Sequence, residues 1–135
     1  MESFHILAID HVVLRTKRVD AMIEFYCDKL GCNVERTLEK EGLIQLRAGH
    51  ALIDLVDVEG MLGKRGGKPP EETGHNMDHF CLLISPIEPE ALFTYLKSKD
   101  LRLDEMQTRY GATGFGLSVY LNDPDGNTVE LKPSK

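Results

Sequence analysis

Ile9-Asp10-His11-Val12-Val13-Leu14 and Met77-Asp78-His79-Phe80-Cys81-Leu82 are two copies of one pattern, an Asp-His pair entering an apolar run of strand length. Internal repetition dictates architecture, so the pair decides how the rest of the chain is read. Working outward, Val19-Asp20-Ala21-Met22-Ile23-Glu24-Phe25-Tyr26 follows the first copy and Ile87-Glu88-Pro89-Glu90-Ala91-Leu92-Phe93-Thr94 follows the second, both at the same offset of 68 positions. These segments predict helices. Apolar residues at Val19, Met22, Ile23, Tyr26 and Leu30 recur at helical spacing. Asp20 and Glu88 sit where a helix start favours an acid, Pro89 suits a first turn, and Gly31 supplies the stop.

Three strands are predicted after the first helix, around 32–38, 43–48 and 51–58, separated by turns at Glu41-Gly42 and Gly49-His50. The second half offers 101–105, 115–121 and 127–132, the last two joined by Asn122-Asp123-Pro124-Asp125-Gly126, a strong turn signal. Ile53-Asp54-Leu55 matches Val129-Glu130-Leu131 at an offset of 76, which places about eight extra residues in the second half, assigned to 109–116. The expected fold is therefore α+β, a single domain over 1–135 made of two tandem β-α-β-β-β units at about 7–59 and 76–132. Residues 60–75 read as a linker or mobile loop, because Gly60 to Gly74 hold five glycines, two prolines and three basic residues without periodicity.

At 135 residues and 15.2 kDa the chain has the size of one domain, and 41% hydrophobic with 28% charged residues is a globular balance. The net charge of −6 and scattered basic residues argue against a nucleic-acid partner, which needs a concentrated positive face. Three cysteines, Cys27, Cys32 and Cys81, contain no Cys-x-x-Cys pair, so they are read as reduced and mostly buried thiols. The N-terminus carries no signal-peptide pattern and no run approaches the roughly 20 apolar residues of a membrane span. A cytoplasmic protein without a membrane partner is expected.

Side chains alternate across a strand, so His11 shares a face with Val13, His79 shares one with Cys81, and Glu130 faces away from Val129 and Leu131. A carboxylate on such a strand must be solvated, paired or coordinated. Two imidazoles and one or two carboxylates suit a divalent first-row metal with open positions. His11, His79 and Glu130 are thus candidate metal ligands, with Asp54 beside them. Asp10 and Asp78 are expected to point away and hold backbone groups. His5, His50 and His75 read as solvated. Arg109-Tyr110-Gly111-Ala112-Thr113-Gly114-Phe115-Gly116 suits a loop closing over a ligand, Arg109 pairing with a substrate carboxylate and Tyr110 or Phe115 forming an apolar wall. An ordinary hairpin is the alternative.

The chain resembles the vicinal-oxygen-chelate superfamily, which embraces glyoxalase I, fosfomycin-resistance proteins, extradiol dioxygenases and bleomycin-resistance proteins. The matching residues are Asp10-His11 before Phe25-Tyr26…Leu30-Gly31, Asp78-His79, and the run Asp123-Pro124-Asp125-Gly126-Asn127-Thr128-Val129-Glu130-Leu131. The resemblance implies paired β-α-β-β-β units forming a cupped mixed sheet with helices outside. It also implies one divalent ion per site (Ni, Zn, Mn or Fe) on His11, His79 and Glu130, and a homodimer whose sites draw on two chains. Glyoxalase I-like members place a glutamate where this chain has Asp54, one methylene shorter. Asp54 is left with three roles: fourth ligand, ligand through water, or nearby base. The implied activity is metal-dependent and acts on a small oxygen-chelating substrate. In the lactoylglutathione-lyase-like version a hemithioacetal is isomerised through an enediolate while Asp54 or Glu130 moves the proton. A thiol transferase, a ring-cleaving dioxygenase and a non-enzymatic binding or resistance protein are the alternatives.

Overall fold

The computed structural model describes residues 3–135. It divides into two compact units, one ending at Pro69 and the other running from Pro70 to Lys135. The first contains β1 (His11–Thr16), α1 (Val19–Ile23) extended by a wider helical turn over Glu24–Lys29, β2 (Asn33–Leu38), β3 (Leu43–Ala48), β4 (Ala51–Asp57) and a 3-10 turn at Gly63–Gly66. The second contains β5 (His79–Ile84), α2 (Pro89–Ser98), β6 (Gln107–Gly111), β7 (Gly114–Asn122) and β8 (Thr128–Pro133). The architecture is α+β, two tandem β-α-β-β-β units.

Each unit holds one four-stranded mixed sheet, ordered β1-β4-β3-β2 in the first and β5-β8-β7-β6 in the second. β1 runs parallel to β4 and β5 parallel to β8, and the remaining pairs are antiparallel. Alternation then sorts the side chains. In the first unit Leu14, Ile53 and Leu55 are buried with Met22, Phe25 and Tyr26 of the helical segment, whereas His11, Val13 and Arg15 occupy the opposite face of β1. In the second unit Leu92 and Leu96, four apart on α2, are buried, as are Val119, Leu121, Val129 and Leu131. Each fully buried Leu, Val or Phe contributes roughly 1.5–3 kcal/mol, so these inner faces fix which strand residues point outward.

The first helix ends as its glycine foretells, but through a widened turn: Leu30 N–H donates five residues back to Phe25 O at 3.1 Å, and Gly31 follows at φ 88°. The strand expected at 101–105 is displaced. That stretch meets β7 at the isolated Leu103–Leu121 bridge, with Asp104 N–H donating to Tyr120 O at 3.3 Å, and the pairing strand is Gln107–Gly111. The reason is the two-residue turn at Ala112-Thr113, flanked by the paired Gly111 and Gly114 with Gly114 at φ 88°. It aligns Gln107–Gly111 with Gly114–Ser118, so the ladder ends at Gln107 and 101–105 reaches β7 beyond it, at the Leu103–Leu121 bridge. The segment 109–116 is therefore two strand ends and a tight turn.

Part of the 60–75 stretch is tied to β1. Arg15 donates from Nη1 to Lys68 O at 2.9 Å and from Nη2 to Gly63 O and Gly67 O at 3.0 and 2.8 Å. One guanidinium thus collects three carbonyls of the 63–68 stretch, which a compositional reading cannot foresee. No helix among the described residues is long and apolar enough to cross a membrane.

Candidate metal centre

Register places histidine and carboxylate identically in the two units. On β1 and β4, His11 lies opposite Leu52 and Val13 opposite Asp54. On β5 and β8, His79 lies opposite Thr128 and Cys81 opposite Glu130. Histidine and acid are diagonal neighbours on the face turned away from the inner apolar layer, within reach of long side chains. Asp54 and Glu130 are both buried.

The two aspartates preceding the histidines act on the imidazoles, not on backbone groups as expected. Asp10 Oδ2 lies 2.7 Å from His11 Nδ1, and Asp78 Oδ2 lies 2.6 Å from His79 Nδ1. A carboxylate there favours the tautomer protonated at Nδ1 and leaves Nε2 as the donor atom for a metal. The Asp10 contact is the largest cause raising His11 above its ordinary 6.5; desolvation opposes it, and the charge of Asp54 adds to the rise. In the second unit His79 Nε2 faces Glu130 Oε1 at 3.4 Å. Two donors about 2.1 Å from one ion, at a tetrahedral angle, stand about 3.4 Å apart.

Each acid is held by a neighbour that the sequence did not single out. Gln45, opposite Asp54 on β3, donates from Nε2 to Asp54 Oδ2 at 3.1 Å. The other oxygen, Asp54 Oδ1, is buried without a hydrogen-bond partner. Ser118 donates from Oγ to Glu130 Oε2 at 2.7 Å. Tyr120 lies opposite Glu130, and its ring is tilted against the His79 imidazole with centroids 5.3 Å apart. Cys81 also shares this face and is exposed, contrary to the expectation of buried thiols; Cys27 is half-buried and Cys32 buried. Partial burial of its sulfur, with the Glu130 charge beside it, pushes the Cys81 thiol up to about 11.

The 109–116 residues divide between the two faces. Arg109, opposite Gly116, shares the Glu130 face, where its Nη1 donates to Ser118 O at 2.8 Å and Ser118 Oγ at 2.9 Å. Tyr110 and Phe115 pair with each other on the other face, rings 4.9 Å apart and largely exposed. Strand alternation thus separates the aromatics from Glu130 within their own unit. The glycines have a different use. A Cβ on Gly116 would stand 3.1 Å from Lys132 Cε and one on Gly111 3.3 Å from Lys132 Nζ. They leave room for this buried lysine, which donates to Gly114 O. His5, His50 and His75 are exposed, as expected.

Asp123 explains why Glu130 emerges where it does. Its Oδ1 accepts from the backbone N–H of Asp125 and Asn127 at 2.9 and 3.0 Å, and its Oδ2 from Asn127 Nδ2 at 2.9 Å. Gly126 supplies the φ of 86° that this closed turn requires. β8 therefore starts at a fixed register.

Residues 8–131 match the description Glyoxalase/Bleomycin resistance protein/Dioxygenase superfamily. The chain belongs to that superfamily. Among curated relatives, biphenyl-2,3-diol 1,2-dioxygenase 2 of Rhodococcus globerulus is 32% identical over 126 residues, covering 90% of this chain and 60% of the relative. The chain thus spans less than two thirds of that dioxygenase. Virulence protein STM3117 of Salmonella typhimurium is 28% identical over 91% of this chain and 81% of its own length. Its crystal structure aligns with a TM-score of 0.76, at 25% identity over 98% of this chain and 100% of that one. A lactoylglutathione lyase structure from Agrobacterium tumefaciens aligns with a TM-score of 0.68, at 22% identity over 94% and 93% of the two chains, a likeness of fold alone.

Members of the superfamily typically use a divalent metal, and the donors present are chemically suited to one. The Nε2 atoms set free by Asp10 and Asp78, the 3.4 Å spacing to Glu130, and the unpartnered buried Asp54 Oδ1 all fit a cation. Among the described residues no group of three or more His, Cys, Asp or Glu side chains is gathered as a metal cluster. On the face turned away from its apolar layer, the first unit presents His11 and Asp54 and the second His79 and Glu130.

Proposed function

We propose that the chain is a divalent-metal-dependent enzyme of the glyoxalase type, acting on a small molecule that offers two neighbouring oxygen atoms. His11, His79 and Glu130 are its ligands in this reading. The observation that carries it is the repeated imidazole-carboxylate device, in which His79 Nδ1 is held by Asp78 and His79 Nε2 faces Glu130 Oε1 at 3.4 Å. When bound, a Ni, Zn, Mn or Fe ion would polarise the substrate oxygens and stabilise negative charge developing on them.

The chain's own residues divide the remaining work. In this reading Asp54, held through one oxygen by Gln45 with Oδ1 unpartnered, takes a proton from the carbon beside a substrate oxygen and returns it to the next carbon. Glu130, with one oxygen engaged by Ser118, is the anchored carboxylate. The outcome matching this division is isomerisation of a thiol-derived hemithioacetal, the lactoylglutathione-lyase-like reaction. The proposal includes a cytoplasmic homodimer in which each centre draws on two chains. Ring cleavage of a catechol is the second reading, favoured by the 32% identity to biphenyl-2,3-diol 1,2-dioxygenase 2.

Elemental analysis of protein purified without added metal, repeated on His11→Ala, His79→Ala and Glu130→Ala, tests the ligand set. Each variant is expected to lose metal, and full occupancy in all three refutes the proposal. Asp54→Asn should keep its metal and lose roughly 100- to 10,000-fold in isomerisation rate. Oxygen uptake with a catechol, in place of hemithioacetal turnover, would decide for ring cleavage.

A further inference from the structure

Arg109, Ser118 and Glu130 form a chain of donors whose direction is set by chemistry. A guanidinium has only N–H donors, so the 2.9 Å contact from Arg109 Nη1 makes Ser118 Oγ an acceptor. The single hydroxyl proton of Ser118 then points along its 2.7 Å contact to Glu130 Oε2. Arg109 is itself fixed twice more, by its bond to Ser118 O at 2.8 Å and by stacking, with Cζ 3.9 Å from the centre of the Tyr120 ring. Ser118 is fully buried and Glu130 nearly so, so water competes weakly for these bonds. Arg109 also lies opposite Gly116, which has no side chain to keep the guanidinium off β7.

We infer that Arg109 and Ser118 are positioning residues that commit Glu130 Oε2, so that Glu130 Oε1 alone is presented towards His79 Nε2. Glu130 would then hold an ion through Oε1, and the Arg109 charge supports its carboxylate through Ser118. This role engages Nη1 and the flat face of the guanidinium, whereas pairing with a substrate carboxylate would call on the other N–H donors. This inference rests on the proposal that Glu130 is a ligand.

Zinc affinity, measured by competition with a chromophoric chelator, tests it on the full-length protein, with the visible spectrum of the cobalt-loaded form as a second readout. Ser118→Ala and Arg109→Met are each expected to weaken zinc binding roughly 10- to 100-fold and to alter the cobalt spectrum. Ser118→Thr restores a hydroxyl and is expected within about threefold of the parent. Arg109→Met combined with Ser118→Ala should be no weaker than the worse single variant, since both interrupt one chain. Thermal melting of the metal-free proteins verifies that each variant folds. Parental affinity and spectrum in Ser118→Ala and Arg109→Met, alongside zinc loss in Glu130→Ala, overturn this inference and leave the ligand assignment standing. Parental zinc affinity in Glu130→Ala removes both.

Discussion

Replacing Gly63 by alanine probes the loop that a compositional reading leaves mobile. A Cβ at this position would lie 1.9 Å from Asp57 O and 2.6 Å from both Asp57 C and Val58 Cα. These are backbone atoms at the end of β4 and cannot swing aside as a flexible side chain would. Relief requires the turn to move by more than about 1 Å, and overpacking of this kind costs roughly 2–3 kcal/mol. The same movement pulls Gly63 O away from its 3.0 Å bond to Arg15 Nη2. For a chain of this length each kcal/mol shifts the melting temperature by about 3–5 °C, so Gly63→Ala is expected to lower Tm by roughly 6–15 °C. Gly74→Ala is the comparison, since a Cβ there meets nothing within 4 Å, and its Tm should stay within about 2 °C of the parent. Trypsin supplies a local readout, because Lys64 and Arg65 lie in the Arg15-bound stretch. Gly63→Ala should be cut there faster than parent or Gly74→Ala. Equal melting and equal cleavage in the two alanine variants would refute the close packing of this turn.

The Glu35–Arg47 pair, with bonds of 2.8 Å from both Arg47 Nε and Nη2, predicts a pH-dependent effect. The hydrogen bonds from Arg47 hold the Glu35 carboxyl below its ordinary 4.5. A carboxylate depressed on folding contributes stability above its unfolded value and loses it as pH falls through the folded one. Glu35→Gln should therefore melt below the parent at pH 7, with a gap that narrows as the pH falls below about 4.5; a constant gap refutes the linkage. For the thiols, burial pushes Cys32 up to about 11, leaving about one part in a thousand as thiolate at pH 8. Iodoacetamide should label native Cys32 at least about tenfold more slowly than the urea-unfolded chain, measured by mass spectrometry. Equal rates would show that the thiol is neither buried nor raised.

What the linear chain determines is local and repetitive. The Asp-His pairs, the helical spacing after them and the Val129-Glu130-Leu131 alternation specify two copies of one topology and the face on which each histidine and acid must lie. Period-two alternation is a property of the extended backbone, so it is legible without knowing any neighbour. The choice of neighbour is not legible in this way. Gln107–Gly111 forms the strand in place of 101–105 because a two-residue turn sets the hairpin register. Gln45 and Ser118 meet their carboxylates only because the ladders bring them alongside.

Composition describes the glycines and basic residues of 63–68 correctly, yet one arginine on β1 collects three of that stretch's carbonyls. The Asp10 and Asp78 contacts had a signal in plain view, since an acid repeated beside a repeated histidine has an imidazole within reach. Arg109 had none. Its Nη1 meets Ser118 on the neighbouring strand only through the pairing of β6 with β7, and strand pairing is decided by the folded chain as a whole.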